Sequence, residues 1–143
     1  MRTRAAALGV GACLAVAIAL TTAPGAGAAK GDKRSGACPK QADRALPLGD
    51  GAIKKARKAA LVAAPSLYKG LDVDGAQAVS AKVATSAGPR GGEVAYQCGK
   101  AVQARTIVVE LRFPKELPSA SLSEGVVFVS RFESGYEVWE VAH

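Results

Sequence analysis

The sequence predicts an α+β fold. One N-terminal helix packs on an antiparallel sheet of about four strands, and the sheet ends in a C-terminal hairpin. Three observations predict it. Gly51 to Ala64 is dense in Ala, Lys and Leu, which are strong helix formers. The last third of the chain alternates apolar and polar residues with the period of a half-buried strand. Two cysteines, Cys38 and Cys98, lie where one bridge can tie the segment before the helix to the strands after it.

The chain opens with Arg2 and Arg4, an apolar run from Ala5 to Leu20, and the small-residue stretch Ala23-Pro-Gly-Ala-Gly-Ala-Ala29. This is the pattern of a secretory signal peptide. Cleavage is expected after Ala28, with Ala29 the near alternative, so residues 1–28 are assigned to the signal peptide. Val10-Gly-Ala-Cys13 resembles a lipobox, but the apolar run continues past Cys13 to Leu20, where a lipid-anchor cysteine would end it. Cys13 leaves with the signal peptide. An exported chain permits disulfides, and Cys38 and Cys98 are then expected to pair, closing a loop of about 60 residues. The expected location is secreted, extracellular, with no transmembrane segment in the mature chain.

Residues 29–48 are polar, with Lys30-Gly-Asp-Lys-Arg-Ser-Gly36 at their start. They read as a flexible segment that becomes ordered near Cys38. Residues 49–143 form the single α+β domain. Asp50 is expected to cap the helix and Pro65 to end it. A helical wheel gathers Ile53, Ala56, Ala60, Ala63 and Ala64 on one face and Lys54, Lys55 and Lys58 on the other. Leu61 and Val62 stray toward the basic side. Ala76 to Ser86 carries two conflicting signals. Asp74-Gly-Ala-Gln77 resembles a capping box, while Val79, Ala81, Val83 and Thr85 alternate as a strand; it is read as a strand, with the helix as the alternative. Pro89-Arg-Gly-Gly92 is expected to be a loop, and Glu93 to Cys98 a short strand with Val94, Tyr96 and Cys98 on one side.

Arg105 to Phe113 places Ile107, Val109, Leu111 and Phe113 on one strand face. Gly125 to Phe132 and Tyr136 to Val141 are expected to form a hairpin across a three-residue loop, Glu133-Ser-Gly135, pairing Arg131 with Glu137, Val129 with Trp139 and Val127 with Val141. In that register both faces are apolar. One carries Val126, Phe128, Phe132, Tyr136 and Val138; the other carries Val127, Val129, Trp139 and Val141. A second apolar face has to be covered by the remaining chain, a partner subunit or a ligand.

Ala104-Arg-Thr-Ile-Val-Val-Glu-Leu-Arg-Phe-Pro114, with Pro118 to Arg131 and Tyr136 to His143, resembles small secreted actinobacterial proteins of unknown function. The order of helix and then antiparallel strands is similar to cystatin-like and NTF2-like architectures. The first resemblance implies only export and a β-rich end. The Gln-x-Val-x-Gly loop of cystatins is absent, so no inhibitor role is carried over.

The formal charge of +7 falls to +5 when Arg2 and Arg4 are removed. Such an excess suits anionic wall polymers, nucleic acid or lipid headgroups. Catalytic signals are few. The one histidine, His143, is the last residue, a poor place to hold a base for Ser119, Ser121 or Ser123. Glu110 and Glu140 both lie on predicted strands and form the one conceivable carboxylate pair. Asp72-Val-Asp-Gly75 matches only part of a calcium loop, and Pro89-Arg-Gly-Gly92 lacks the Lys and Ser/Thr of a phosphate loop. No cofactor, metal site or catalytic residue is assigned.

The leading expectation is a secreted non-enzymatic binding module. Its apolar sheet face (Phe128, Phe132, Tyr136, Val138, Trp139) takes a small ligand, a protein or a second copy of the chain. The alternative is a cell-surface protein that binds an anionic cell-wall polymer or another polyanion through Lys54, Lys55, Arg57 and Lys58, with Lys69 nearby. A small extracellular hydrolase using Glu110 and Glu140 ranks last.

Overall fold

The strands of the last third form as their alternation predicts, in a computed structural model that describes residues 38–116 and 123–142. The signal peptide, Ser119, Ser121 and His143 lie outside the described residues. The elements run α1 (Ala52–Leu67), β1 (Gln77–Val83), α2 (Gly88–Cys98), a short α3 (Lys100–Gln103), β2 (Thr106–Arg112), β3 (Glu124–Phe132) and β4 (Gly135–Ala142). The four strands form one antiparallel sheet in the order β1-β2-β3-β4, so every neighbour in sequence is a neighbour in the sheet. The α+β expectation holds, and within 76–86 Gln77–Val83 is a strand as read, while Ala84–Ser86 forms a 3-10 turn instead.

α1 lies on one face of this sheet. Ala56, Ala60 and Ala64 recur every fourth residue and are fully buried. Their small side chains let the helix approach Ile107, Val109, Leu111, Val127 and Val129, with which they form one apolar cluster. Both helix ends differ from expectation. Gly51, in a left-handed conformation at φ 66°, occupies the cap position, and no side chain caps the first turn, so Asp50 does not serve. Pro65 does not end the helix, which runs on to Leu67. Pro65 forfeits one ladder bond, the one its N–H would have made to the Leu61 carbonyl. The turn is closed after it by the Tyr68 N–H donating to the Ala64 carbonyl at 2.9 Å, and Tyr68 is buried against the Phe113 ring with centroids 4.9 Å apart.

Glu93 to Cys98 is not a strand. It is the second half of α2, and Pro89-Arg-Gly-Gly92 is its first turn rather than a loop. Pro89 sits at the start of the helix, where its missing N–H is not needed. Gly91, Val94 and Cys98 are buried at three- and four-residue spacing, while Tyr96 turns outward. Val94, Tyr96 and Cys98 satisfy an alternating pattern over six residues, too few to separate the two periods. The sheet decides between them, because its second face needs a cover and α2 supplies it. Val94, Cys98 and Val102 pack with Val108, Phe128, Phe132 and Trp139, joined by Ala42 and Ala45 from the N-terminal segment. Of the three covers that the two-faced sheet allowed, the chain's own is the one found here.

The hairpin register is corrected near its turn. Phe132 pairs with Gly135, Arg131 with Tyr136 and Val129 with Val138, so the loop is the two-residue Glu133-Ser134. A bulge then shifts the pairing between Phe128 and Val129, and Val127 meets Val141 as expected. The extra residue exchanges faces on β4. Tyr136 and Val138 join the α1 side with Val127, Val129 and Val141, whereas Trp139 joins Phe128 and Phe132 on the α2 side.

The Cys38–Cys98 disulfide is present, with 4.9 Å between the Cα atoms. It fastens the N-terminal segment to the end of α2. From Cys38 onward that segment is packed: Ala42 and Ala45 are buried, and the Leu46 N–H donates to the Arg131 carbonyl at 2.7 Å. No helix among the described residues is long and apolar enough to cross a membrane.

Candidate functional site

The predicted ligand face does not stay together. Phe128, Phe132 and Trp139 are 3 %, 8 % and 9 % exposed in the α2-side core. The Phe128 and Trp139 ring centroids are 5.6 Å apart. The Trp139 indole N–H donates to Ser130 Oγ at 2.9 Å, which consumes its polar end inside the core. Val138 and Tyr136 are half-buried on the opposite face against α1. Alternation placed Phe128, Phe132, Tyr136 and Val138 on one face and Trp139 on the other; the two-residue turn and the β4 bulge exchange Tyr136 and Val138 with Trp139.

A different surface gathers part of that set with part of the basic helix. Between α1 and the β3–β4 turn lies a cleft of about 580 Å³. This is within the range of small-molecule sites, roughly 300–1,000 Å³. One wall is a single stripe of α1, Lys55, Lys58, Ala59 and Val62, at helical spacing. The other is the hairpin end from Arg131 to Tyr136, with Leu46 alongside. Val62 is 73 % exposed, the most exposed large apolar side chain of the described residues.

The N-terminal segment sets the hairpin wall. The Gly49 N–H donates to Tyr136 Oη at 3.2 Å, and Arg131 donates from a guanidinium nitrogen to the Pro47 carbonyl at 3.5 Å. Gly49 leaves the room this needs, since a Cβ there would lie 3.1 Å from the Arg131 guanidinium. Lys55 and Lys58 have no carboxylate partner among the described residues. Three cations therefore face one lining carboxylate, Glu133. Lys54, Arg57 and Lys69 are exposed but do not line the cleft. Arg131 and Leu46 carry no sequence signal for this role, because their places depend on the hairpin and on the packed N-terminal segment. Val62 was visible as the apolar residue straying onto the basic side of the helix.

The other chemical candidates separate or are already occupied. Glu110 lines a depression with Arg90 and Glu124, and Glu140 lines another with Glu93 and Gln97, so the two are not brought to one site. The Lys115 ammonium lies 3.2 Å from Asp72 and 3.3 Å from Asp74, and the Asp72 N–H donates to Glu116 at 2.8 Å. The hydrogen bond to Asp72 holds the Lys115 amine above its usual range. The partial calcium motif is thus a loop clamp. Among the described residues no group of three or more His, Cys, Asp or Glu is placed to hold a metal ion. Gly91 backs directly onto the Ala84 carbonyl, so Pro89-Arg-Gly-Gly92 offers no anion cradle there.

No protein family matches the chain, and neither a curated protein nor a solved structure matches it. A functional reading therefore has to come from the cleft itself.

Proposed function

We propose that this protein is a secreted, non-enzymatic binding module whose site is the cleft between α1 and the β3–β4 turn. The observation that carries the reading is convergence. Lys55 and Lys58 from the basic helix and Phe132 and Tyr136 from the apolar set line the same concavity. Neither the sheet face alone nor the helix face alone has that shape. Export is supported by the N-terminal pattern and by the disulfide, which suits an oxidising compartment.

The cationic excess makes the ligand anionic. Inorganic tripolyphosphate serves as a probe of that charge, titrated into the isotope-labelled, oxidised protein while backbone amide shifts are followed. The expected result is shifts concentrated at Lys55, Lys58, Val62, Gly135 and Tyr136, diminishing as salt rises. Shifts scattered over all lysines, or none at the cleft, would overturn the assignment.

A further inference from the structure

The cleft is more apolar than a site for a bare polyanion needs. Ala59, exposed Val62 and Tyr136 line it together with the cations. A polymer held by counter-ion release alone gains nothing from such side chains. Exposing Val62 to water is unfavourable unless something covers it. Tyr136 adds a directional group. Its oxygen accepts the Gly49 N–H, and its own hydroxyl hydrogen has no acceptor among the described residues. The site thus offers two ammonium groups, a guanidinium and a free O–H donor beside an apolar wall.

From this we infer that the occupant is a single-chain anionic amphiphile, with a phosphate-type head on Lys55, Lys58 and Arg131 and its alkyl body along Ala59 and Val62. The inference rests on the cleft being the binding site, and it adds the chemistry of the ligand. Charge complementarity selects the head, and the exposed Val62 selects a body that water solvates poorly. Both demands meet only in an amphiphile.

The test is a calorimetric titration of the oxidised protein with alkyl phosphates of increasing chain length, each below its micelle concentration. Tripolyphosphate and dodecyltrimethylammonium serve as comparison probes, and far-UV circular dichroism confirms that the protein stays folded. Affinity should rise by up to about fourfold for each added methylene that the wall covers. It should fall at least tenfold in Val62→Asp and in Lys58→Glu, both exposed positions whose substitution leaves the fold intact. Binding of tripolyphosphate at the cleft with no dependence on alkyl length would overturn the amphiphile while leaving the binding cleft standing. Equal affinity for the cationic amphiphile would overturn the assigned head. Binding to anionic phospholipid vesicles but not to monomeric alkyl phosphates would replace the single-chain ligand by a membrane surface. Failure of every probe to perturb the cleft would overturn both readings.

Discussion

Gly91 and Gly92 are adjacent in α2, yet replacing each with alanine should change stability in opposite directions. A Cβ on Gly91 would lie 1.7 Å from the Ala84 carbonyl oxygen and 2.7 Å from its carbon. Contact at an ordinary distance requires α2 to retreat by more than an ångström. The helix is not free to do so. Cys98 at its end is bridged to Cys38, Val94 is 2 % exposed in the core, and Gln103 donates to the Gly91 carbonyl at 2.9 Å. Overpacking of this kind costs about 3 kcal/mol. Alanine in place of glycine in a helix recovers at most about 1 kcal/mol. The net loss for Gly91→Ala is about 2 kcal/mol, or a melting temperature lower by roughly 8–16 °C in a domain of this size. At Gly92 a Cβ meets nothing within 4 Å, so Gly92→Ala keeps only the favourable term, about 0.5–1 kcal/mol. Both variants restrict the unfolded chain equally, so their difference isolates the contact with Ala84. Calorimetric melting of the oxidised wild type and both variants measures it. A Gly91→Ala protein as stable as Gly92→Ala would refute the placement of α2 against Ala84, and with it the account of how the second sheet face is covered.

Three further outcomes follow from the core. Thr106 donates to the Val102 carbonyl at 2.8 Å, so its 3.1 Å bond with Ser130 must be donated by Ser130, which in turn accepts the Trp139 indole N–H. Ser130→Ala orphans that buried N–H, and urea unfolding should show a loss of about 1–3 kcal/mol with a changed emission from the single tryptophan; unchanged stability and emission would disprove the relay. Opening the Cys38–Cys98 bridge, by Cys→Ser at both positions, should cost up to about 4 kcal/mol and release amide-exchange protection at Leu46 before that at β2 and β3; simultaneous loss everywhere would show the N-terminal segment to be integral to the sheet. Burial pushes the Tyr68 phenol from 10.0 up to about 12. Below pH 10 it is neutral folded and unfolded alike, and between these values only the unfolded chain ionises, so stability should fall as pH rises through that window. Tyr68→Phe should remove this slope, and urea midpoints at pH 9 and pH 11.5 for both proteins check it.

Much of the framework was readable before any coordinates. Period-two alternation in Arg105 to Phe113 needs only the pleat of a strand to put Ile107, Val109, Leu111 and Phe113 on one face, and all four are buried there. Alanines at four-residue spacing similarly declare the buried side of α1. The pairing of Cys38 with Cys98 followed from counting. These are local or arithmetical properties, and they survive folding because the tertiary structure agrees with them.

The rest was decided by packing between segments. A short run such as Val94 to Cys98 carries no period of its own, and it became a helix because an apolar sheet face lay open for it to cover. The β4 bulge adds one residue to a strand that reads as regular. With the two-residue turn, which puts Tyr136 beside the basic helix and Trp139 in the core with Phe128, it still leaves Val141 opposite Val127. The cleft is a consequence of both. Its cations are distant in sequence, Lys55 and Lys58 on α1 and Arg131 on β3, and the segment tethered by Cys38 orients the wall between them. The sequence by itself therefore determined α1, the sheet strands, the disulfide and the buried stripe of α1, since each depends on neighbours along the chain. Only the tertiary structure decided which face each hairpin residue meets and where charge and apolar surface coincide, because one inserted residue inverts a strand and no local pattern records what will pack against it.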